Sequence, residues 1–569
     1  MEKELSTLRH SAAHVLADAV KQLFPNVKLA IGPSIENGFY YDFDKKDGFS
    51  NDDLNNIEKK MQEIINKNYK FDKTFKTKKE AEKILKNESY KLEILKDLKE
   101  EKVSFYQDRD FIDLCKGPHV SSTGEIKAFK LLNTAGAYWR GIETNPMLQR
   151  IYGTAFYSKK DLDEFLKIRE EAKKRDHRKL GKELELFNVD ELAPGFPFIY
   201  PKGTIIINEL INFLREEYKK RCYIEVKTPM ILAKKLWEKS GHWDHYKNNM
   251  YFVKVDKNDF AVKPMNCPGS ILIYQQKLHS YRELPIRMAE FGLVHRYEIS
   301  GVLAGLFRVR AFTQDDAHIY CTEEQIKDEI INLIDFIDHV YKTFKFDYKV
   351  ELSTRPENYI GDIKNWNLAE KALEDALKFK KINYKLNEGG GAFYGPKIDF
   401  HIKDCLGRTW QCATIQLDFS MPEKFDLKYE GKDGRKHTPV MIHRAIYGSI
   451  ERFLAILIEH FGGKFPLWLT PVQVKILTVS DRNINFAKQL QKDLINNDFR
   501  ASLDDRSETI SKKVRDAQVE YINYIITIGD KEVKDKTLAI RTLDGKVKFD
   551  VKPDKFIQDL IKEIKDKKC

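Results

Sequence analysis

Cys267, His318 and His443 lie far apart in the chain, yet one thiolate and two imidazoles form a set that zinc accepts readily. Three such ligands leave a fourth position open for a substrate. Taken singly, in a chain with 14 histidines and 7 cysteines, each reads as a buried structural residue. Their neighbours change that reading. Phe291-Gly292-Leu293-Val294-His295-Arg296-Tyr297-Glu298 is followed by a glycine-containing loop and by Phe307-Arg308-Val309-Arg310-Ala311-Phe312. The pattern predicts strand, loop, strand, with arginines projecting where a triphosphate could lie. The guanidinium fork suits phosphate oxygens and stays charged throughout a reaction. Gly448-Ser449-Ile450-Glu451-Arg452-Phe453 sets a further arginine on a predicted helix just after His443.

A second constellation lies near the N-terminus. His10-Ser11-Ala12-Ala13-His14 puts two imidazoles on one helical face, and Cys115-Lys116-Gly117-Pro118-His119 adds a thiol and a third imidazole. By residue type alone this looks like a four-ligand zinc site. The pattern lacks the glutamate of H-E-x-x-H, which argues against a metalloprotease.

These residues need elements to hold them, and 569 residues are too many for one compact core. A hydrophobic fraction of 42%, with 35 Phe and 26 Tyr, supplies several cores. Residues 1–155 read as an α+β domain: a helix with His10 and His14, the alternating segment Gly38-Phe39-Tyr40-Tyr41-Asp42-Phe43, and a helix over 53–68 with Ser50 and Asp53 as a capping box. Ser158 and Asp161 repeat that signal and open a charged connecting helix over 156–180, whose charges form a solvated face. A larger domain, 181–465, mixes long helices with β-branched and aromatic strands, including a helix over 204–221 that leads into a strand at 222–227. Gly462-Gly463-Lys464-Phe465-Pro466 marks a linker, and 466–569 reads as a small α/β domain with a strand at 472–479 and a helix at 485–496.

The net charge of +11 favours an anionic partner, because clustered Lys and Arg gain affinity by releasing counterions from phosphates. A lysine-rich composition has the same signature, so charge alone does not decide. The cysteines are scattered, odd in number and never in a C-x-x-C pair, which argues for a reducing compartment and a cytoplasmic protein. No apolar run approaches the ~20 residues that span a bilayer. Met1-Glu2-Lys3-Glu4-Leu5 does not begin a secretory signal.

Together the central segments resemble the three signature motifs of class II aminoacyl-tRNA synthetases, and they are most similar to the threonyl-tRNA synthetases over essentially the whole chain. Arg287-Met288-Ala289-Glu290-Phe291-Gly292, Phe312-Thr313-Gln314-Asp315-Asp316-Ala317-His318 and Phe393-Tyr394-Gly395-Pro396-Lys397 carry the resemblance most specifically. No GxxxxGK[ST] loop or GxGxxG fingerprint occurs, as the class II fold implies. That fold is an antiparallel sheet with flanking helices, here with an N-terminal α+β editing domain and a C-terminal α/β anticodon-binding domain. The resemblance implies a ligase that uses ATP with Mg²⁺ to activate threonine and loads it onto tRNA(Thr), working as a homodimer through the helix ending near Pro229.

By the same resemblance, Arg296 holds the α-phosphate and Glu298 the adenine amino group. Arg308 reaches the γ-phosphate, and Phe312 and Arg452 sandwich the adenine. Lys397 joins Arg296 and Arg452 as catalytic, with Gln411 and Thr414 beside the nucleotide. Met265, Gln314, Asp316, Tyr394 and Gln416 surround threonine. Zinc on Cys267, His318 and His443 would grip its amino group and hydroxyl, excluding valine, which an apolar pocket separates by only about 10²-fold. Serine lacks only a methyl, worth about 1–3 kcal/mol, so a second, hydrolytic site is expected. His10, His14, Cys115 and His119, with Asp113, Lys91 and Tyr41, match the family's editing site for mischarged seryl-tRNA, with metal dependence left open. Glu532 and Arg541 match positions that read anticodon bases. Tyr297 departs from the smaller polar residue often found there, and the chain starts without the small ubiquitin-like module common in bacterial members. Seryl or prolyl specificity, or a non-catalytic RNA-binding paralogue, are the competing readings. The metal set, the editing domain and the three retained arginines argue against them.

Overall fold

The computed structural model describes residues 2–142 and 144–569. They form two compact units that meet in sequence between Glu170 and Glu171. In the first, the helix Glu2–Leu23 is enclosed along most of its length, with Leu8, Ala12, Val15 and Leu16 wholly buried. It packs on a sheet that orders the strands Lys28–Leu29, Gly38–Asp44, Met147–Phe156 and Ala128–Tyr138. The helix Asn51–Asn66 begins at the expected box: Ser50 accepts from the Asp53 amide, and the Asp53 carboxylate accepts from Ser50. A second sheet, of Asp72–Thr77, Lys102–Asp108 and Phe111–Leu114, carries Asp113 to Tyr41 and leads into Cys115, which meets His10 of the helix Glu2–Leu23.

The second unit is built on an eight-stranded sheet in the order Tyr223–Glu225, Ile286–His295, Ala311–Cys321, Val440–Ala445, Thr409–Asp418, Lys397–Lys403, Asp347–Ser353, Tyr384–Asn387. Its six central strands pair antiparallel, and only the outermost two pair parallel to their neighbours. The helices Pro201–Lys220, Ile326–Thr343, Ile363–Phe379 and Ile450–Phe461 supply apolar faces to one continuous core around this sheet. A separate five-stranded sheet near the C-terminus joins three parallel strands, around Val474–Thr478, to an antiparallel pair, Leu538–Thr542 and Val547–Val551. No helix among the described residues is long and apolar enough to cross a membrane.

Two local expectations change. The charged connecting helix is not continuous: Lys159–Arg175 stops, and Asp176 caps a second helix, His177–Glu183, by accepting the Arg178 amide. A side-chain acceptor at an N-cap satisfies an amide that the preceding turn would otherwise have used. Phe307, Arg308 and Arg310 lie in the loop before the strand Ala311–Cys321 rather than on a strand. Gly305, at φ +52, and the turn closed by the Phe307 amide on the Ala304 carbonyl keep this segment out of the sheet.

Candidate active site

Strand register does most of the assembly. His318 stands directly opposite His443 on adjacent antiparallel strands, and Gln416 faces His443 from the other side. Because side chains alternate along a strand, His318 shares a face with Gln314 and Asp316. Cys267 opens the helix Cys267–Tyr274, and its sulfur and the two imidazoles present ligand atoms within 4.8 Å of one another. All three residues are buried. Burial pushes the Cys267 thiol up and the His318 imidazole down, so His318 is held neutral, as a metal ligand must be. His443 donates Nε2–H to Asp418 Oδ2 at 2.9 Å, which in the neutral ring leaves Nδ1 with its lone pair. His318 Nε2 is buried without a hydrogen-bond partner. A buried nitrogen with no partner, beside a thiol and a second imidazole, completes a set that could hold a metal ion.

A cavity of about 450 Å³ opens onto this cluster. Every active-site residue expected from the sequence of this domain lines it, apart from the buried His318. Arg296 donates Nε–H to the Pro264 carbonyl at 3.2 Å and lies 5.0 Å from the Phe312 ring centre. Arg308 is paired with Glu298 through two bonds of 3.1 and 2.8 Å. Arg452 is held by the carbonyls of Phe307 and Gln411, at 3.1 and 3.3 Å. The turn ahead of it is fixed by the buried Asp315 carboxylate, which accepts the amides of Ile446, Tyr447 and Gly448.

Four residues of this site escaped sequence reasoning. Asp399, two positions after Lys397 on the same strand face, gathers Lys397, Gln411 and Thr414 at 2.7, 2.7 and 2.9 Å. The alternation Lys397-Ile398-Asp399 was the available signal. Asp418 orients His443, and Asn266 donates to Asp316 at 3.1 Å, next to Cys267 in the chain. His242 is fully buried, with Nδ1 2.7 Å from Ser240 Oγ and Nε2 2.9 Å from Met265 Sδ, and burial pushes it down to about 3. Nothing in the spacing of Gly241-His242-Trp243 announces it.

In the N-terminal unit, three of the four motif residues converge. Cys115 Sγ lies 3.3 Å from His10 Nε2 and 3.2 Å from His119 Nε2, and the two imidazoles stack. His14 does not join them through Nε2, which instead meets the buried Asp108 carboxylate at 3.1 Å. Burial pushes the Cys115 thiol up to about 11 and His119 down to about 2. Close by in sequence, the Asp113 carboxylate accepts from Tyr41 at 2.7 Å and pairs with Lys91 at 2.8 Å. In the C-terminal sheet region Glu532 reaches back to the Gly529 amide and Arg541 donates to the Gly545 carbonyl, so each has a local partner.

Comparison with known proteins matches three families along the chain. Residues 103–152 match the threonyl and alanyl tRNA synthetase second additional domain, 251–461 the tRNA synthetase class II core domain (G, H, P, S and T), and 473–563 the anticodon binding domain. The chain is 57% identical to a threonine–tRNA ligase of Carboxydothermus hydrogenoformans over 564 residues, 98% of this chain and 89% of that one. It is 60% identical to a threonine–tRNA ligase of Clostridium novyi over 538 residues, 94% and 84% of the two chains. Among solved structures, the RNA binding domain of threonyl-tRNA synthetase from Cryptosporidium parvum aligns with a TM-score of 0.67 and 43% identity, covering 68% of this chain and 98% of that one.

Proposed function

The chain belongs to the threonine–tRNA ligases, and from that premise we propose how its residues divide the work. The enzyme activates threonine with ATP and transfers it to the 3′ end of tRNA(Thr). In the first step a threonine carboxylate oxygen bonds to the α-phosphorus, and the bond from that phosphorus to the bridging oxygen breaks to release pyrophosphate. In the second, a hydroxyl of the terminal ribose attacks the threonyl carbonyl and AMP leaves. Neither step needs a covalent bond to protein, so catalysis is positioning and charge stabilisation.

Arg296 is the residue for the α-phosphate, with Mg²⁺ arriving on ATP. Arg308 exchanges its Glu298 partner for the γ-phosphate, which frees Glu298 for the adenine amino group. Phe312 and Arg452 enclose the base, and Asp399 aims Lys397, Gln411 and Thr414 at the nucleotide. Cys267, His318 and His443 would hold one zinc ion, which would supply a Lewis acid for the amino group and side-chain hydroxyl of threonine; valine has the amino group but lacks the hydroxyl. Asp316, steadied by Asn266, accepts from the bound amino acid among Met265, Gln314, Tyr394 and Gln416.

The chain is divided at 1–155 for editing, 156–180 for a connecting segment, 181–465 for synthesis and 466–569 for the anticodon. His10, Cys115 and His119, with Asp113, Lys91, Tyr41 and the Asp108-oriented His14, hydrolyse seryl-tRNA. Glu532 and Arg541 read anticodon bases. The enzyme acts in the cytoplasm as a homodimer. What supports this reading most is the convergence of a thiol and two imidazoles beside the cavity that Arg296, Arg308 and Arg452 line. The test is zinc analysis with threonine-dependent pyrophosphate exchange. The wild type should carry about one zinc per chain, and Cys267→Ser should lose zinc and at least ~10-fold of exchange, since catalytic zinc sites rely on three protein ligands. Full exchange by zinc-free enzyme would refute it.

A further inference from the structure

Asp176, His177 and Glu459 bring ligand atoms within 4.8 Å of one another, but each is already committed, so no metal is called for. His177 is buried, and its ring bridges two elements that the reaction needs. Its Nε2 accepts the backbone amide of Leu306 at 3.1 Å. An amide can only donate, so Nε2 must carry a lone pair and Nδ1 the hydrogen. That hydrogen goes to Glu459 Oε1 at 2.7 Å, and Glu459 also accepts the His177 amide and the Arg408 guanidinium. Glu459 belongs to the helix Ile450–Phe461, which carries Arg452. Leu306 belongs to the loop that carries Phe307 and Arg308.

The contact is close. Gly305 runs so near the ring that a Cβ there would stand 2.2 Å from His177 Nε2. The His177 ring also meets Phe307 edge-on at 4.4 Å, and Phe307 stacks on Trp410 at 4.0 Å. Arg452 donates to the Phe307 carbonyl.

We propose that His177 is a positioning residue that holds the backbone of the 305–307 loop, and so presents Phe307 and Arg308 to ATP. The proposal rests on the reading above that this loop binds the nucleotide. A loop fixed beforehand spares ATP the ordering cost; a loosened loop charges that cost to ATP affinity and leaves threonine affinity alone.

Two variants separate the ring's two ends. His177→Asn keeps a donor near Nδ1 for Glu459 and removes the acceptor for Leu306. His177→Gln keeps an acceptor near Nε2 and removes the donor. Calorimetric binding of Mg·ATP, KM for ATP and for threonine in pyrophosphate exchange, and the thermal midpoint should be measured for both. The expected result for His177→Asn is Kd and KM for ATP about tenfold higher, with KM for threonine unchanged, the scale of one lost buried hydrogen bond. His177→Gln should bind ATP within about twofold of wild type, even if its midpoint falls. Unchanged ATP affinity in His177→Asn, or equal losses in both variants that track the midpoint, would overturn the proposal. Wild-type enzyme that binds ATP without threonine-dependent exchange would fail the functional reading alone; wild type that does not bind ATP would sink both.

Discussion

Asp399 and Asp418 lie off the cavity wall, and each holds side chains that reach it. A charge-assisted hydrogen bond fixes both the distance and the rotamer of its partner, which is how a carboxylate that touches no substrate governs a site. Asp399→Asn leaves Lys397 without its counter-charge, so exchange activity should fall and KM for ATP should rise by about tenfold. Steady-state exchange checks this, and an unchanged KM would show that Lys397 needs no aiming. Asp418→Asn should weaken zinc retention by about 10–100-fold, as losses of outer-shell partners do. Competition with a chelator measures it; equal retention would mean that His443 is oriented by packing alone. Asp418 was illegible in the sequence and Asp399 was signalled only by its alternation with Lys397, because an aspartate on a strand becomes an orienting group only through register with a neighbouring strand. Cys267, His318 and His443 were nominated through the motif segments around them, since each taken singly reads as a buried structural residue.

At the scale of elements, the helix Ile450–Phe461 is tied to the strand Ala311–Cys321 through Glu451, whose carboxylate accepts the Thr313 amide at 3.0 and 2.8 Å. Burial pushes this carboxyl up to about 7. Folding therefore favours the protonated form. The stability it contributes is complete below the ordinary glutamate range and is lost as pH rises through about 7. Glu451→Gln keeps an acceptor and removes the titration. The midpoint of the wild type relative to Glu451→Gln should thus fall between about pH 5 and pH 8, and a pH-independent difference would show that the group does not titrate there. The helix itself was expected from the segment around Arg452. The break at Asp176 was not, because a lysine- and arginine-rich run reads as one helix until the chain's return to Glu459 gives His177 a reason to start another.

Over the whole molecule, two chemistries occupy separate compact units. Substitutions in the first should leave the second intact, since residues without shared partners act additively. His14→Ala or Cys115→Ala should let seryl-tRNA accumulate while threonine charging stays within about twofold. Deacylation of seryl-tRNA and threonine charging, measured side by side, decide it. Unchanged serine clearance would remove the N-terminal cluster from editing. His14 would then be read as a core histidine held by Asp108.

Residue types in a specific order were sufficient to state the family and its activity, and to nominate residues for each site, because motif wording survives without coordinates. Local signals such as Ser50 with Asp53 also sufficed for where helices begin. Register, burial and the choice of partner came only with the tertiary structure. His318 faces His443 because two strands pair at that offset, His14 turns to Asp108 because that carboxylate is buried beside it, and His177 reaches Leu306 because a loop folds back over it. Each is a contact between residues more than 90 positions apart, and chain order carries no term for it.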